Sequence, residues 1–189
     1  MHRNLFTLGY LLKRPEVIRY YNEFLRTQFL SYEDLKAMQE EQLKKIIHFA
    51  YENVPYYTKL FEKLGLKPND INVIKDLERL PILTKMIIKK NWQDFIPRNI
   101  GKYRYVNGST GGSTGEPLKY RMSLEDYERG TALLYRGFGY AGYKLGDKVA
   151  VIAGSSLIPT TRSETKKKIQ NFFLNTRHYS SFNMSEQKL

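Results

Sequence analysis

One short segment of the sequence, residues 107–117, combines several glycines with several hydroxyl side chains. Glycine allows backbone conformations that bring successive N–H groups together around an anion, and serine and threonine hydroxyls donate to phosphate oxygens. The residues concerned are Gly108, Ser109, Thr110, Gly111, Gly112, Ser113, Thr114 and Gly115. The segment therefore predicts a loop that binds phosphate, although the same composition is also typical of a flexible hairpin loop.

Two familiar phosphate-binding motifs do not fit this segment. A Walker loop requires Gly-Lys-Ser/Thr at a fixed spacing, and the segment has no such lysine. A dinucleotide fingerprint requires Gly-x-Gly-x-x-Gly and a helix directly after it, and the segment has neither. The glycines and hydroxyls therefore indicate a phosphate loop of another kind.

The sequence on either side of the loop alternates as a β-strand does. Tyr103–Val106 precedes the loop and Leu118–Met122 follows it, which predicts a strand–loop–strand unit. Ser123, with Asp126 three residues later, is typical of a helix N-terminus and predicts a helix over residues 124–137. The loop is thus expected to lie between two strands, with a helix directly after the second.

The residues before this unit predict a series of short helices. Ser31 with Asp34 is a candidate N-cap for the first of them, and Pro55 ends it, because the residue before a proline is pushed out of the helical region. Gly65 and Thr84 are a candidate C-cap and N-cap for later helices. The predicted helices are Tyr32–Asn53, Tyr57–Leu64, Val73–Arg79 and Lys85–Trp92, with a turn at Pro68–Asp70.

After the loop unit, the pattern predicts a turn, a buried strand, a helix and a second strand. These elements are Leu145–Asp147, Lys148–Ala153, Arg162–Phe173 and Thr176–Phe182. Residues 183–189 resemble a cap and the first turn of a helix, so we expect Leu189 to be a truncation point; the alternative is an unstructured tail. The expected fold class is α/β, with a helical N-terminal region that leads into strands.

Length, charge and composition exclude several classes of protein. The chain has 189 residues, no cysteine and a formal charge of +12, from 31 Lys+Arg and 19 Asp+Glu. Its apolar fraction of 41% can build a core, which excludes a wholly disordered chain. Without cysteine, a disulfide framework, a thiolate zinc site and a cysteine nucleophile are excluded. No apolar run could span a membrane, and the N-terminus lacks a secretory cleavage site, so we expect a cytoplasmic protein.

The positive charge favours anionic partners, which include nucleotides, nucleic acid and membrane surfaces. The charge is spread along the chain, and its densest cluster, Lys166–Lys168, is typical of a solvated helix face. No zinc-finger, basic-zipper or RNA-recognition pattern is present. At the N-terminus, Leu5, Leu8 and Leu12 can share one helix face, which allows a helix laid on the domain, a mobile terminus or a peripheral membrane contact.

Other candidate site residues give no coherent pattern. The three histidines, His2, His48 and His178, are too scattered for a metal site, and we expect none. Tyr56 and Tyr57 could line a pocket, but packing against the preceding helix is the simpler interpretation. Nothing in the sequence orients a nucleophile and its base, so the catalytic residues are left unassigned.

The loop resembles the phosphate loop of the adenylate-forming enzymes, Thr-Ser-Gly-Ser/Thr-Thr-Gly-x-Pro. The matching residues are Thr110–Pro117, and the departure is Gly111 where serine is usual. Within that superfamily, the sequence is most similar to the phenylacetate–coenzyme A ligase family, which includes capsular-polysaccharide (CapK-like) members. The shared motifs follow the family's order over about residues 31–189: Gln39-x-x-x-Leu43, Ala50-Tyr51-x-Asn53-Val54-Pro55-Tyr56-Tyr57, Leu80-Pro81-x-x-Thr84-Lys85 and Gly146-Asp147.

The resemblance implies an ATP-dependent ligase. In such enzymes a carboxylate attacks the α-phosphate of ATP, which gives an acyl-adenylate and pyrophosphate, and a thiol such as coenzyme A then takes the acyl group. The loop residues Thr110–Gly115 would bind the β- and γ-phosphates together with Mg²⁺. Lys119 could add charge, although it lies one place beyond the lysine that often follows this proline. The implied partners are ATP and a small carboxylate, and not nucleic acid.

The resemblance also implies that parts of the enzyme are missing. Family members are roughly twice this length or more, and their downstream portion supplies a Tyr-Gly-x-Thr-Glu-type segment, a Thr-Gly-Asp segment and a mobile lysine. We therefore expect an N-terminal extension over residues 1–30 and, over residues 31–189, an incomplete AMP-binding domain of the large-domain type that is inactive alone. The alternatives are a basic module that binds phosphate or nucleic acid without catalysis, and a degenerate remnant.

Overall fold

The computed structural model describes residues 2–110, 117–153 and 164–180. It divides into two compact units. One comprises the described residues up to Leu25 together with those from Glu128 onward, and the other comprises Arg26–Tyr127. The expected family-domain boundary at residue 31 is a different kind of division from these packing units, and it stays a prediction.

The first five elements of the chain are helices, and strands and helices follow them. They are α1 (His2–Lys13), α2 (Pro15–Thr27), α3 (Tyr32–Asn53), α4 (Pro55–Leu64), α5 (Lys85–Lys90), β1 (Tyr105–Ser109), β2 (Lys119–Ser123), α6 (Leu124–Gly139), β3 (Val149–Ala153), α7 (Glu164–Phe173) and β4 (Thr176–Ser180). Between α4 and β1 the chain also makes short 3₁₀ turns. The predicted order, a helical region followed by strands, is therefore confirmed within the described residues.

Helix α3 has the predicted bounds, because both of its ends carry local stop signals. The Ser31 hydroxyl accepts from the backbone N–H of Asp34 at 3.1 Å and donates to its carboxylate at 2.8 Å. At the other end Val54 is extended, as the residue before a proline must be. Pro55 then opens α4, two residues earlier than predicted, because proline at the first helical position has no N–H to leave unpaired.

The core of the unit Arg26–Tyr127 lies between α3, α4 and the turn that follows them. Its buried members are Leu43, Ile47, Phe61 and Ile71. Gly65 ends α4 with φ +64°, a left-handed conformation that glycine adopts without a side-chain penalty, so the predicted C-cap is confirmed. The chain then reverses, which allows Ile71 to reach the helix pair.

The later helices of this unit are shorter than predicted. Thr84 caps α5 as expected, since its hydroxyl accepts from the Ile87 N–H at 3.3 Å. The helix ends at Lys90, and Trp92–Phe95 forms a 3₁₀ turn in place of its predicted last residues. The predicted helix over Val73–Arg79 is likewise a 3₁₀ turn, Ile74–Arg79. Its Asp76 carboxylate accepts from the backbone N–H groups of Asn72 and Val73, which closes the turn locally.

In the other unit, the N-terminal residues form a helix packed into a core, one of the alternatives that the sequence left open. Phe6 and Tyr10 of α1 are buried with Val17 and Tyr20 of α2 and with Ala132 of α6. The Tyr10 and Tyr135 hydroxyls are 3.0 Å apart, and the two ring centroids are 6.0 Å apart with the rings edge to face. No helix among the described residues is long and apolar enough to cross a membrane.

Strands β3 and β4 form a parallel pair in which Val149 lies opposite Thr176 and Ala153 opposite Ser180. The turn before β3 is as predicted: Gly146 has φ +87°, and the Asp147 carboxylate accepts from the Lys144 N–H at 2.9 Å. The prediction of a buried strand is wrong, because Ile152 is 57% exposed. A parallel strand is buried only where neighbours cover both faces of its sheet, and the described part of this unit does not do so.

Three predicted pieces lie wholly or partly outside the described residues. These are the helical turn at residues 183–189, the first two residues of the predicted helix Arg162–Phe173, and the last two of the predicted strand Thr176–Phe182. The described portions of that helix and that strand, α7 and β4, have the predicted type.

The buried Tyr135 should make the free energy of unfolding depend on pH in the alkaline range. Burial, and then the neighbouring Tyr10, raise the pKa of Tyr135 above its ordinary value of about 10. Above that pH the unfolded chain loses this proton while the folded chain keeps it, so the stability that is fully present below pH 10 falls as pH rises. Tyr135→Phe should therefore lose less unfolding free energy between pH 8 and pH 11 than the unsubstituted chain, as measured by urea denaturation.

The matched control is Tyr140→Phe, since the Tyr140 side chain is 70% exposed in the same unit. This variant should keep the pH dependence of the unsubstituted chain. An unchanged pH dependence for Tyr135→Phe would contradict the assignment of the buried hydroxyl.

Candidate functional site

The glycine- and hydroxyl-rich segment connects the two strands of an antiparallel hairpin. Tyr105 lies opposite Ser123 at the far end of β1 and β2, and Ser109 lies opposite Lys119 next to the loop. The two strands of the predicted strand–loop–strand unit are thus confirmed, although β1 begins two residues later than predicted and ends three residues later, and residues 111–116 lie outside the described residues. The added residues bring the paired strands directly up to the loop.

Thr110 joins the two ends of the loop. Its backbone N–H donates to the Leu118 carbonyl at 3.0 Å, and its hydroxyl oxygen accepts from the Leu118 N–H at 3.0 Å. The hydroxyl takes the place of the backbone carbonyl that would accept this N–H if the ladder continued. The strand pairing therefore ends at this residue, and the hydroxyl keeps its hydrogen for a further acceptor.

The two faces of the hairpin differ in burial and in chemistry. On one face, Val106, Gly108 and Met122 are half-buried and Tyr120 is 37% exposed. Residues on the other face are mostly exposed and polar; they are Tyr105, Asn107, Ser109, Lys119, Arg121 and Ser123. The period-two alternation of a strand produces this division, with polar side chains on the solvent face.

Gly108 is needed for packing rather than for a turn. It lies opposite Tyr120, and a Cβ atom at this position would overlap the tyrosine ring. The tyrosine therefore lies over the bare glycine backbone on the half-buried face. Of the glycines that suggested a phosphate loop, this one has a structural role in the strand.

The base of the hairpin is tied to the start of α6. The Leu124 N–H donates to the Arg104 carbonyl at 2.8 Å. The Ser123 hydroxyl accepts from the Asp126 N–H at 3.0 Å and donates to its carboxylate at 2.7 Å, so the predicted N-cap is confirmed. Both ends of the hairpin are thus held by hydrogen bonds, at the loop and at the helix.

The described residues of the hairpin region carry only positive charge. Over residues 101–110 and 117–123 there are two lysines and two arginines and no acidic residue: Lys102, Arg104, Lys119 and Arg121. The guanidinium of Arg121 lies 5.4 Å from the ring centroid of Trp92 and 5.4 Å from that of Tyr105. Arg121 was not predicted from the loop motif, although the alternation of β2 places it on the same face as Lys119.

Of the predicted phosphate-binding residues, Thr110 is placed at the loop base. The others, Gly111, Gly112, Ser113, Thr114 and Gly115, lie outside the described residues. Lys119, the additional candidate, is exposed on the polar face and is the first residue of β2. The structure thus brings Thr110, Ser109 and Lys119 to one end of the hairpin.

The remaining candidates are structural. Tyr56 stacks on Phe95 with ring centroids 4.2 Å apart, and Tyr57 meets the same ring edge to face. Both tyrosines also border a cavity of about 280 Å³, and burial raises the pKa of Tyr57. His48 shares a hydrogen bond of 2.9 Å with Asn69. Among the described residues, no group of three or more His, Cys, Asp or Glu could hold a metal ion.

A second group of glycines lies at the end of α6. Residues 137–142 contain Gly-x-Gly-x-x-Gly, the spacing of a dinucleotide fingerprint. That fingerprint follows a strand and opens a helix, whereas this segment comprises the last three residues of α6, which ends at Gly139, and the turn beyond it. Gly142 then adopts φ +85° in the turn beyond the helix. The spacing therefore serves to end a helix and is not a nucleotide site.

No model of a protein family matches the chain. It is 29% identical over 161 residues to the phenylacetate–coenzyme A ligase of Aromatoleum evansii, which covers 74% of this chain and 36% of that ligase. It is 30% identical over 128 residues to the phenylacetate–coenzyme A ligase of Escherichia coli strain K12, which covers 67% and 29%. The chain spans about a third of the length of these curated relatives.

Solved structures show the same fold. An open conformation of 2-hydroxyisobutyryl-CoA ligase, in complex with 2-HIB-AMP and CoA, aligns with a TM-score of 0.57 at 17% identity. The alignment covers 79% of this chain and 35% of that chain. The expected fold class, the first part of an α/β adenylate-forming domain, is thereby confirmed. The chain is thus similar to phenylacetate–coenzyme A ligases in sequence and to a coenzyme A ligase of known structure in fold.

The role of Thr110 in the loop base is testable. Thr110→Val keeps the shape of the side chain but leaves the Leu118 N–H without its acceptor, which should lower the free energy of unfolding by about 1 kcal/mol. Thr110→Ser keeps the hydroxyl and should be the more stable of the two variants. Urea denaturation at neutral pH compares them, and equal stabilities would contradict the assigned bond.

Proposed function

We propose that this chain is the nucleotide-binding N-terminal part of an ATP-dependent ligase that activates a carboxylate as its acyl-adenylate. The observation that carries the proposal is the glycine- and hydroxyl-rich loop, held at its ends by a paired hairpin in a chain related to phenylacetate–coenzyme A ligases. The proposed phosphate-binding residues are Thr110, Gly111, Gly112, Ser113, Thr114 and Gly115.

The chemistry of the loop suits a chain of phosphates. The other five proposed residues follow Thr110 directly, and Gly111, Gly112 and Gly115 allow the backbone N–H groups between them to converge on an anion. The hydroxyls of Thr110, Ser113 and Thr114 add donors. The Thr110 hydroxyl retains its hydrogen while its oxygen accepts from Leu118, so it can hold the loop end and contact a phosphate together.

The reaction moves negative charge onto the group that the loop holds. A carboxylate oxygen attacks the α-phosphorus of ATP, and the bond from that phosphorus to the bridging oxygen of pyrophosphate breaks. Donors already aimed at the β- and γ-phosphates stabilise the charge that develops there. A thiol then attacks the acyl carbon, and AMP leaves with the bonding electrons.

Mg²⁺ is proposed to bind together with ATP. Mg²⁺ prefers oxygen ligands and is commonly held by phosphate oxygens with few protein groups. The hydroxyls of Thr110, Ser113 and Thr114 are of this kind, so the donor set fits a metal bound chiefly by ATP. When bound, Mg²⁺ would neutralise part of the phosphate charge.

The finer features of the proposal rest on the family resemblance. Coenzyme A is the proposed acceptor, in keeping with relatives that are named as coenzyme A ligases. Membership of the CapK-like subgroup, a role in capsular polysaccharide synthesis, a cytoplasmic location and the domain division at residue 31 belong to the proposal. So does dependence on downstream segments, since the aligned relatives extend well beyond the matched third.

The proposal predicts that Mg²⁺–ATP stabilises the folded chain. A ligand that binds only the folded state at ten times its Kd adds about 1.4 kcal/mol, which for a chain of this size raises Tm by a few degrees. The double substitution Ser113→Ala with Thr114→Ala should abolish most of this shift. Differential scanning fluorimetry, with and without Mg²⁺–ATP, provides the measurement.

The matched control is Thr160→Ala with Thr161→Ala, which also removes two adjacent hydroxyls but lies outside the loop. This variant should keep the full shift. A chain whose Tm is unmoved by Mg²⁺–ATP would contradict the proposed function and favour a remnant without a ligand. Salt-sensitive binding of polynucleotide without competition from ATP would favour the non-enzymatic module.

Dependence on downstream segments has its own test. The chain alone should release no pyrophosphate from ATP across a panel of carboxylates. Release should appear when the chain is mixed with a polypeptide that comprises the unmatched remainder of the Escherichia coli relative and should require the carboxylate. Release by the chain alone would contradict this dependence and leave the nucleotide site in place.

A further inference from the structure

We propose that the exposed face of the β1–β2 hairpin is a second anion subsite, in which Arg121 contacts the phosphate chain of the nucleotide where it leaves the loop. The inference rests on the proposed function, because it takes the ligand to be a nucleoside triphosphate held by the loop. It goes beyond that function by assigning a binding role to a residue outside the loop. Lys119 is the second cation of this subsite.

The register of the hairpin places both cations beside the loop. Lys119 pairs with Ser109 at the last position before the loop, and Arg121 pairs with Asn107 two residues further along. Residues two apart on a strand point to the same face and lie about 7 Å from each other. Both side chains therefore lie on the same exposed face of the hairpin, with Lys119 next to Thr110 and Arg121 farther from it.

Two aromatic rings hold the guanidinium of Arg121. Its central carbon is 5.4 Å from the ring centroid of Trp92, which comes from the turn after α5, and 5.4 Å from that of Tyr105 on the neighbouring strand. A guanidinium attracted to ring faces keeps its N–H edge available for a bidentate anion. Because the rings restrict the side chain before the ligand arrives, binding loses less conformational entropy.

The local charge favours an anion at this place. In the described part of the hairpin region every charged side chain is basic. Among the residues that the structure describes, no carboxylate lies within ion-pair distance of Arg121. The positive charge of the guanidinium is therefore not cancelled by an ion pair within the described chain, and its attraction for phosphate should weaken as salt is added.

The size of the subsite favours a nucleotide over a nucleic acid. A protein that depends on nucleic-acid phosphates commonly neutralises six to ten of them along an extended track. This face offers two cations, Lys119 and Arg121, directly beside a loop suited to enclose phosphate. That arrangement matches the short phosphate chain of one nucleotide.

Trp92 makes the proposal directly observable, because it is the only tryptophan in the chain and lies against the cation concerned. Titration with Mg²⁺–ATP, and separately with tripolyphosphate, should change its fluorescence. Arg121→Gln should weaken ATP binding about three- to tenfold and remove most of the tripolyphosphate response. Arg121→Lys should give an intermediate affinity, since it keeps the charge and loses the planar fork.

The control is Lys75→Gln, which makes the same change in net charge at an exposed site on the turn Ile74–Arg79. It should bind ATP as the unsubstituted chain does. Circular dichroism of each variant verifies that the fold is retained. The salt dependence of ATP binding should be shallower for Arg121→Gln than for this control.

Several outcomes would overturn the subsite, and the first differs from a failure of the proposed function. If Arg121→Gln binds ATP as tightly as the unsubstituted chain while the loop variant, Ser113→Ala with Thr114→Ala, does not, the subsite is wrong and the proposed function stands. If tripolyphosphate responds through Arg121 while Ser113→Ala with Thr114→Ala binds ATP normally, the loop does not hold the phosphate chain, and the subsite as a continuation of the loop is overturned with it. Tighter, Arg121-dependent binding of polyuridylate than of ATP would overturn the choice of a nucleotide.

Discussion

The pairing of β1 with β2 is the constraint on which the candidate site depends. A loop rich in glycine has many conformations, so it can bind a phosphate chain well only if its ends are held. Here the ends are held by the two hydrogen bonds between Thr110 and Leu118. The hairpin is held in turn at its other end, where Arg104 accepts from Leu124 at the start of α6.

The same pairing explains why the surroundings of the loop are basic and accessible. Strand alternation gives the hairpin one half-buried face, on which Tyr120 covers Gly108, and one exposed face, on which Lys119 and Arg121 lie. The exposed face is free to carry charge, which a buried face could not hold without partners.

Elements with local signals could be predicted from the sequence, and elements that depend on distant contacts could not. Helix α3 was predictable because Ser31 and Pro55 mark its ends. The turn Ile74–Arg79 was predicted as an α-helix, although its closure by Asp76 gives a tighter 3₁₀ turn. The exposure of Ile152 was not predictable, since it depends on which elements cover the sheet. Arg121 was not predicted as a site residue, because its nearness to the rings of Trp92 and Tyr105 depends on contacts between separate segments of the sequence.

The central claim is that the loop at the end of this hairpin binds the phosphates of ATP. Hydrogen–deuterium exchange, measured by mass spectrometry with and without Mg²⁺–ATP, tests it most directly. The claim predicts slower exchange of the backbone amides in peptides that span residues 107–120, because those N–H groups would donate to phosphate. Unchanged exchange in these peptides at a saturating ATP concentration, or slowing confined to another part of the chain, would contradict it.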